Sequence, residues 1–73
     1  MSKLKITSGK NLIRFLEKNG FAQTRQVGSH VVLVKNNLTI TVPLHGGKDL
    51  GRGIILAILK DAKVERADYE KNI

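Results

Sequence analysis

Apolar positions along the chain change their spacing from element to element, and each spacing predicts a structure. Leu12, Phe15 and Leu16 recur at helical spacing with Ile13 beside them. Ser8 stands before them as an N-cap and Asn19-Gly20 after them as a stop, so the spacing predicts an amphipathic helix over residues 9–19. Residues 21–26 mix polar and apolar positions and read as a strand, followed by a turn at Gly28. Residues 29–35 are rich in valine, and Leu38, Ile40 and Val42 alternate with Thr39 and Thr41 up to Pro43. A period of two is that of a half-buried strand, and proline ends a ladder because it lacks an N–H. Asn36-Asn37 tolerates the left-handed conformations of a tight hairpin turn. After a glycine loop at 44–49, a second helix is expected from about Arg52 to Lys63, with Asp49 as its cap and Ile54, Ile55, Ile58 and Leu59 on one face. The tail, Val64 to Ile73, carries enough pattern for one or two weak helical turns.

The expected fold class is therefore α+β, in the order α-β-β-β-α. Its centre is a three-stranded antiparallel sheet with both helices on one face, since two amphipathic helices can share a single apolar sheet surface. The hairpin parity says which surface that is. A two-residue turn at Asn36-Asn37 pairs Leu33 with Ile40 and Val31 with Val42, and these wholly apolar pairs belong to the core. The opposite face then receives the pairs Val34–Thr39, Val32–Thr41 and His30–Pro43. The first turn is less decisive and sets either Arg25 or Gln26 opposite His30.

Seventy-three residues make one domain, with a core that supplies about 3–5 kcal/mol of net stability. Such a chain has room for an active surface but not for a deep pocket. It contains no cysteine, which excludes a disulfide framework, a thiol nucleophile and a cysteine-ligated zinc, and which fits a cytoplasmic location. The charged start, Met1 to Ile6, has no apolar run behind it, so neither a signal peptide nor a membrane span is expected. Net charge is +7 and the pI about 10.2, which points to a polyanionic partner. From Glu17 to Asp49 there is no acidic residue between, while Lys18, Arg25, Lys35, Lys48 and both histidines fall in that stretch.

His30 is the leading catalytic candidate. Histidine changes charge near neutrality and serves as acid or base in phosphodiester cleavage. RNA cleavage needs a base for the 2′-hydroxyl and an acid for the leaving oxygen, and no metal. The competing reading is a surface or hydrogen-bonding histidine. The Gly28-Ser29 turn ahead of it exposes backbone donors, and Ser29 can steady a phosphate. His45, two residues beyond Pro43, projects on the side of His30 if the chain stays extended, or else packs in its loop. Gly46, Gly47 and Lys48 precede a helix and can hold phosphate through backbone donors and an ammonium, although they lack the spacing of a nucleotide-binding loop. Arg25, Lys35 and Arg52 are phosphate-contact candidates or plain solvated charges. Two histidines and few carboxylates do not form a metal-ligand cluster, and no cofactor is expected. With one tyrosine, two phenylalanines and no tryptophan, base stacking on aromatic platforms is not the main binding mode.

Several of these stretches resemble the HicA family of toxin ribonucleases. They are Gly28-Ser29-His30, the strand from Thr39 to Pro43, and His45-Gly46-Gly47-Lys48-Asp49-Leu50. Ser8-Gly9-Lys10, Asn19-Gly20-Phe21 and Ile58-Leu59-Lys60-Asp61-Ala62 fit the same pattern. The resemblance covers roughly residues 6–64. It implies a fold similar to the double-stranded RNA-binding domain and an endoribonuclease that degrades messenger RNA and arrests growth. It also implies inhibition by an antitoxin of the HicB family, and His30 as the active histidine after the Gly-Ser pair. Two rivals remain on sequence grounds: a non-catalytic RNA-binding module of the same fold, and a basic structural protein bound to ribosomal RNA or DNA.

Overall fold

Ser8 begins the folded frame with a helix cap. Its backbone is extended at φ −74° and ψ 160°, and its side-chain oxygen accepts a hydrogen bond from the Asn11 amide at 3.2 Å. One of the helix's unpaired N-terminal donors is satisfied in this way. In the computed structural model, which describes residues 4–73, α1 spans Gly9–Lys18 and ends at Asn19, with Gly20 at φ 96° turning the chain away. The reading of Met1, Ser2 and Lys3 lies outside the described residues. Strands β1 (Ala22–Val27), β2 (His30–Lys35) and β3 (Leu38–Pro43) form an antiparallel sheet in that order, followed by α2 (Arg52–Ala62) and α3 (Arg66–Asn72).

The β2–β3 register is the one the hairpin pattern predicts: Leu33 pairs with Ile40, Val31 with Val42 and His30 with Pro43. Asn36 supplies the turn at φ 53°. Val31, Leu33, Ile40 and Val42 are buried in one cluster with Leu12, Ile13, Phe15 and Leu16 of α1 and Ile55, Ile58, Leu59 and Ala62 of α2. Both helices thus use one face of the sheet, and both pack closest to β3. Ile54, expected on the same face, is exposed, because it is rotated by about 100° from Ile55 and so falls at the edge of the stripe that buries Ile55, Ile58, Leu59 and Ala62.

Three expectations are corrected. Val27, rather than Arg25 or Gln26, faces His30, because Gly28 at φ 57° and Ser29 make a two-residue turn. Asp49 does not cap α2: Gly51 occupies that position, and Asp49 instead bridges to Ser8, with the Leu50 amide donating to the Thr7 carbonyl at 2.9 Å. The tail is a packed element rather than a weak one. Tyr69 of α3 is fully buried, stands edge-on to Phe15 with ring centroids 5.7 Å apart, and donates its hydroxyl to the Lys5 carbonyl at 2.6 Å. The Lys5 amide donates to the Glu70 carboxylate at 3.1 Å, and Arg66 pairs with the same carboxylate. The Lys5 amide above all, helped by Arg66, holds the Glu70 carboxyl below its ordinary value.

Burial, reinforced by Glu70 and Asp49, raises the Tyr69 phenol above its usual 10.0. A group whose folded pKa is raised stabilises the fold fully below the unfolded pKa and loses that contribution as pH climbs through the folded value. The protein should therefore weaken above about pH 10, and Tyr69→Phe should abolish that phase of the alkaline profile. At neutral pH, Tyr69→Phe removes one hydrogen bond and should cost about 0.5–1.5 kcal/mol. Tyr69→Ala should cost about 3–5 kcal/mol, enough to unfold a domain of this size. Thermal and urea unfolding of the two variants at pH 7 and through the alkaline range measure both effects. Unchanged stability in Tyr69→Ala would show that α3 is not part of the core.

Candidate functional site

Two open surfaces meet at the end of the sheet where β1 and β3 finish and β2 begins. The first is the sheet face turned away from the helices. Parity places His30, Val32 and Val34 of β2 on it, with Thr39, Thr41 and Pro43 of β3 and Arg25 and Val27 of β1. His30 and Arg25 are exposed, and no carboxylate stands among these residues. Arg25 pairs with Val32 and Val27 with His30, so Arg25 and His30 are diagonal neighbours on one face, a spacing of about 7–8 Å. Val27 is an exposed apolar residue, 59% accessible, directly beside His30.

The Gly28-Ser29 turn leads into His30 and is tied to the end of β3. The Leu44 amide donates to the Ser29 carbonyl at 2.6 Å, which fixes the glycine loop beside the turn. Gly46 and Gly47 have φ of 59° and 87°, and an added Cβ at either would meet nothing within 4 Å. Only glycine enters such conformations freely. The Lys48 amide closes the loop on the His45 carbonyl at 3.0 Å, and Lys48 itself is exposed. Gly28, Ser29, His30, Arg25, Gly46, Gly47 and Lys48 therefore gather at one end of the molecule.

Lys35 does not join them. It ends β2 at the far side of the sheet, five residues from His30, or roughly 17 Å along an extended strand. Its ammonium sits 5.8 Å from the centroid of the Phe21 ring, so its placement is accounted for by a cation–π contact. His45 leaves the strand parity because pairing ends at Pro43 and Leu44 turns inward to pack on the core. It lines the second open surface, a groove of about 420 Å³ on the helix side, and His30 does not line that groove.

The groove was not anticipated, and its cause is a bulge. Thr24 is skipped in the β1–β2 register and its hydroxyl donates to the Val32 carbonyl at 3.2 Å. Without the bulge Gln23 and Gln26 would point to opposite faces. With it they oppose Leu33 and Val31, so both lie on the helix side. The helices pack over β3 and leave this β1 margin uncovered. Lys10 and Arg14 of α1 stand across from the glutamines. Their spacing of four residues is visible in the sequence, but nothing there predicts the bulge.

Among the described residues no group of three or more histidine, cysteine, aspartate or glutamate side chains is placed to hold a metal ion. No described helix is long and apolar enough to cross a membrane. Fold and surface together define a small basic α+β domain with an open sheet face and a groove beside it. Residues 9–64 match the family described as the HicA toxin of bacterial toxin-antitoxin, and the chain belongs to the HicA toxin family. Membership gives it the toxin's part in a toxin-antitoxin system and implies an antitoxin partner. No curated protein matched the chain.

An exposed His30 with only Val27 and Pro43 as strand neighbours adds little to the core. His30→Ala should change stability by less than about 0.5 kcal/mol, as surface substitutions do. Denaturant titration of the purified variant checks this, and a loss of several kcal/mol would show His30 to be structural.

Proposed function

We propose that the chain is an endoribonuclease toxin that cleaves messenger RNA, with His30 as its general acid/base. One observation carries the reading: an accessible histidine lies on a carboxylate-free sheet face beside Arg25 and the Gly28-Ser29 turn. RNA brings its own nucleophile. His30 takes the proton of the 2′-hydroxyl, the 2′-oxygen attacks phosphorus, and the bond to the 5′-oxygen breaks. That oxygen leaves with a proton returned by the imidazolium or by water, giving a cyclic phosphate and a 5′-hydroxyl. No metal is required to generate the nucleophile. Arg25, Ser29, Lys48 and the backbone of Gly28, Gly46 and Gly47 hold the phosphate backbone, and His45 contacts RNA from the groove wall.

The partner antitoxin is of the HicB family in this reading, and it covers the His30 face with carboxylates that replace the phosphates. A basic, uncovered site attracts any polyanion, so control depends on a competing acidic surface.

Inducing the protein in cells should arrest growth and accelerate messenger RNA decay, and His30→Ala should abolish both. In purified form that substitution should lower the cleavage rate by about 10²–10⁴-fold, with RNA affinity only modestly reduced. His45→Ala should slow cleavage less. A folded His30→Ala protein that cuts at the original rate would remove the catalytic assignment, and one that changes only affinity would favour the non-catalytic module.

RNA binding should also be salt-sensitive. With about three or four phosphates contacted, log K should fall against log salt with a slope of roughly −2 to −3.5. A flat response in a filter-binding or anisotropy titration would eliminate the electrostatic reading.

A further inference from the structure

We infer that the groove between α1 and the β1 margin is a base-reading subsite, which seats one unpaired nucleotide of the RNA strand that passes His30. The inference rests on the nuclease reading for its choice of RNA as the occupant. Its volume of about 420 Å³ falls in the range of roughly 300–1,000 Å³ typical of ligand clefts. The chemistry is layered as a nucleotide requires. Ile13, Val31 and Leu44 form an apolar floor against which the face of a base can lie. Gln23 and Gln26 stand above it as amides that both donate and accept, the groups that read a base edge. Lys10 and Arg14, one turn apart on α1, supply positive charge at the rim, with Glu17 the acidic residue of the lining.

The two amides are only loosely engaged within the protein. Gln26 donates from Nε2 to the Gly28 carbonyl at 3.0 Å, which orients its Oε1 without occupying it. Gln23 reaches the Glu17 carboxylate at 3.4 Å, a long contact between exposed groups. The Thr24 bulge is what sets both amides on one face. The Gln26–Gly28 hydrogen bond also ties the groove to the turn that carries His30. Across the groove, His45, Gly46 and Gly47 belong to the loop that follows Pro43, the strand partner of His30. A strand with one base in the groove has its backbone at the sheet end where His30 stands. The groove therefore determines which phosphodiester is presented.

An acidic segment of a protein partner is the competing occupant. It matches Lys10 and Arg14 but leaves the paired glutamines and the apolar floor without a role.

The test uses the whole protein and a set of 2′-O-methyl tetranucleotides that differ at one base and cannot be cut. Amide shifts on titration should centre on Ile13, Val31, Leu44 and Gly46. Affinity should differ about fivefold or more between the best and worst base, and Gln23→Ala/Gln26→Ala should erase that difference while the protein stays folded. Shifts confined to the sheet face, equal affinity for all four bases, or groove shifts with the antitoxin alone would each overturn the inference. Mapping of cut sites separates the two claims. If the wild type cuts RNA and the double variant cuts at the same positions with the same preference, the subsite is wrong and the nuclease stands. If no cutting occurs but the base-dependent groove shifts appear, the subsite stands and the nuclease reading falls.

Discussion

Asn36, at φ 53°, closes the two-residue turn between β2 and β3, and that turn decides which side of the sheet every later residue meets. A one-residue slip would exchange the faces. Val31, Leu33, Ile40 and Val42 would then point to solvent, and His30 would be driven under the helices. The apolar pairs on one face and the threonines on the other make such a slip unfavourable at several positions at once. The position of His30 is therefore held by the packing of the opposite face, although its own side chain contributes little to that packing. The core and the candidate site are two consequences of one register.

A domain this small closes its core with pieces from both ends of the chain. Tyr69 fills the space beside Phe15 and hydrogen-bonds to Lys5, while Leu50 and Thr7 join the loop before α2 to the segment before α1. At Gly9 an added Cβ would overlap the Pro43 carbonyl oxygen, so the first turn of α1 lies directly on the end of β3. That close approach sets the wall of the groove and the exit of the strand that faces His30.

The sequence carried the hairpin well because its information is local and periodic: a turn dipeptide, then strict alternation on both sides. His30 opposite Pro43 on an open face follows from that alternation alone. The helices were legible for the same reason, from their caps and apolar spacing. What was not legible depends on contacts between distant residues. Nothing near Tyr69 signals that it meets Phe15 and Lys5, so the tail reads as weak. Asp49 looks like a cap because aspartate is a preferred N-cap shortly before a helix, whereas here its backbone is engaged by Ser8 and Gly51 holds the cap position. The bulge at Thr24 has no marker in a strand of six residues with mixed polarity, and the groove depends on it, whereas the pairing of Val27 with His30 depends on where the Gly28-Ser29 turn closes. Lys35 shows the limit of reading charge from sequence: it falls in the same carboxylate-free stretch as His30, yet the strand sets it at the opposite end of β2, over Phe21.

Charge is the remaining constraint, and it bears on control. Arg66–Glu70 is an ion pair at the far side of the fold from the sheet face, and the open face holds Arg25 and His30 with no carboxylate beside them. A net charge of +7 on 73 residues is a standing repulsion that any bound polyanion relieves. The Glu70 carboxylate of α3 is directed to Lys5 and Arg66, and Tyr69 fixes α3 to the core. An element that must stay packed to keep the domain folded cannot also swing over the site as a lid. An acidic surface of a second molecule can supply the counter-charge that the open face lacks, which accords with belonging to a family whose toxins are paired with antitoxins.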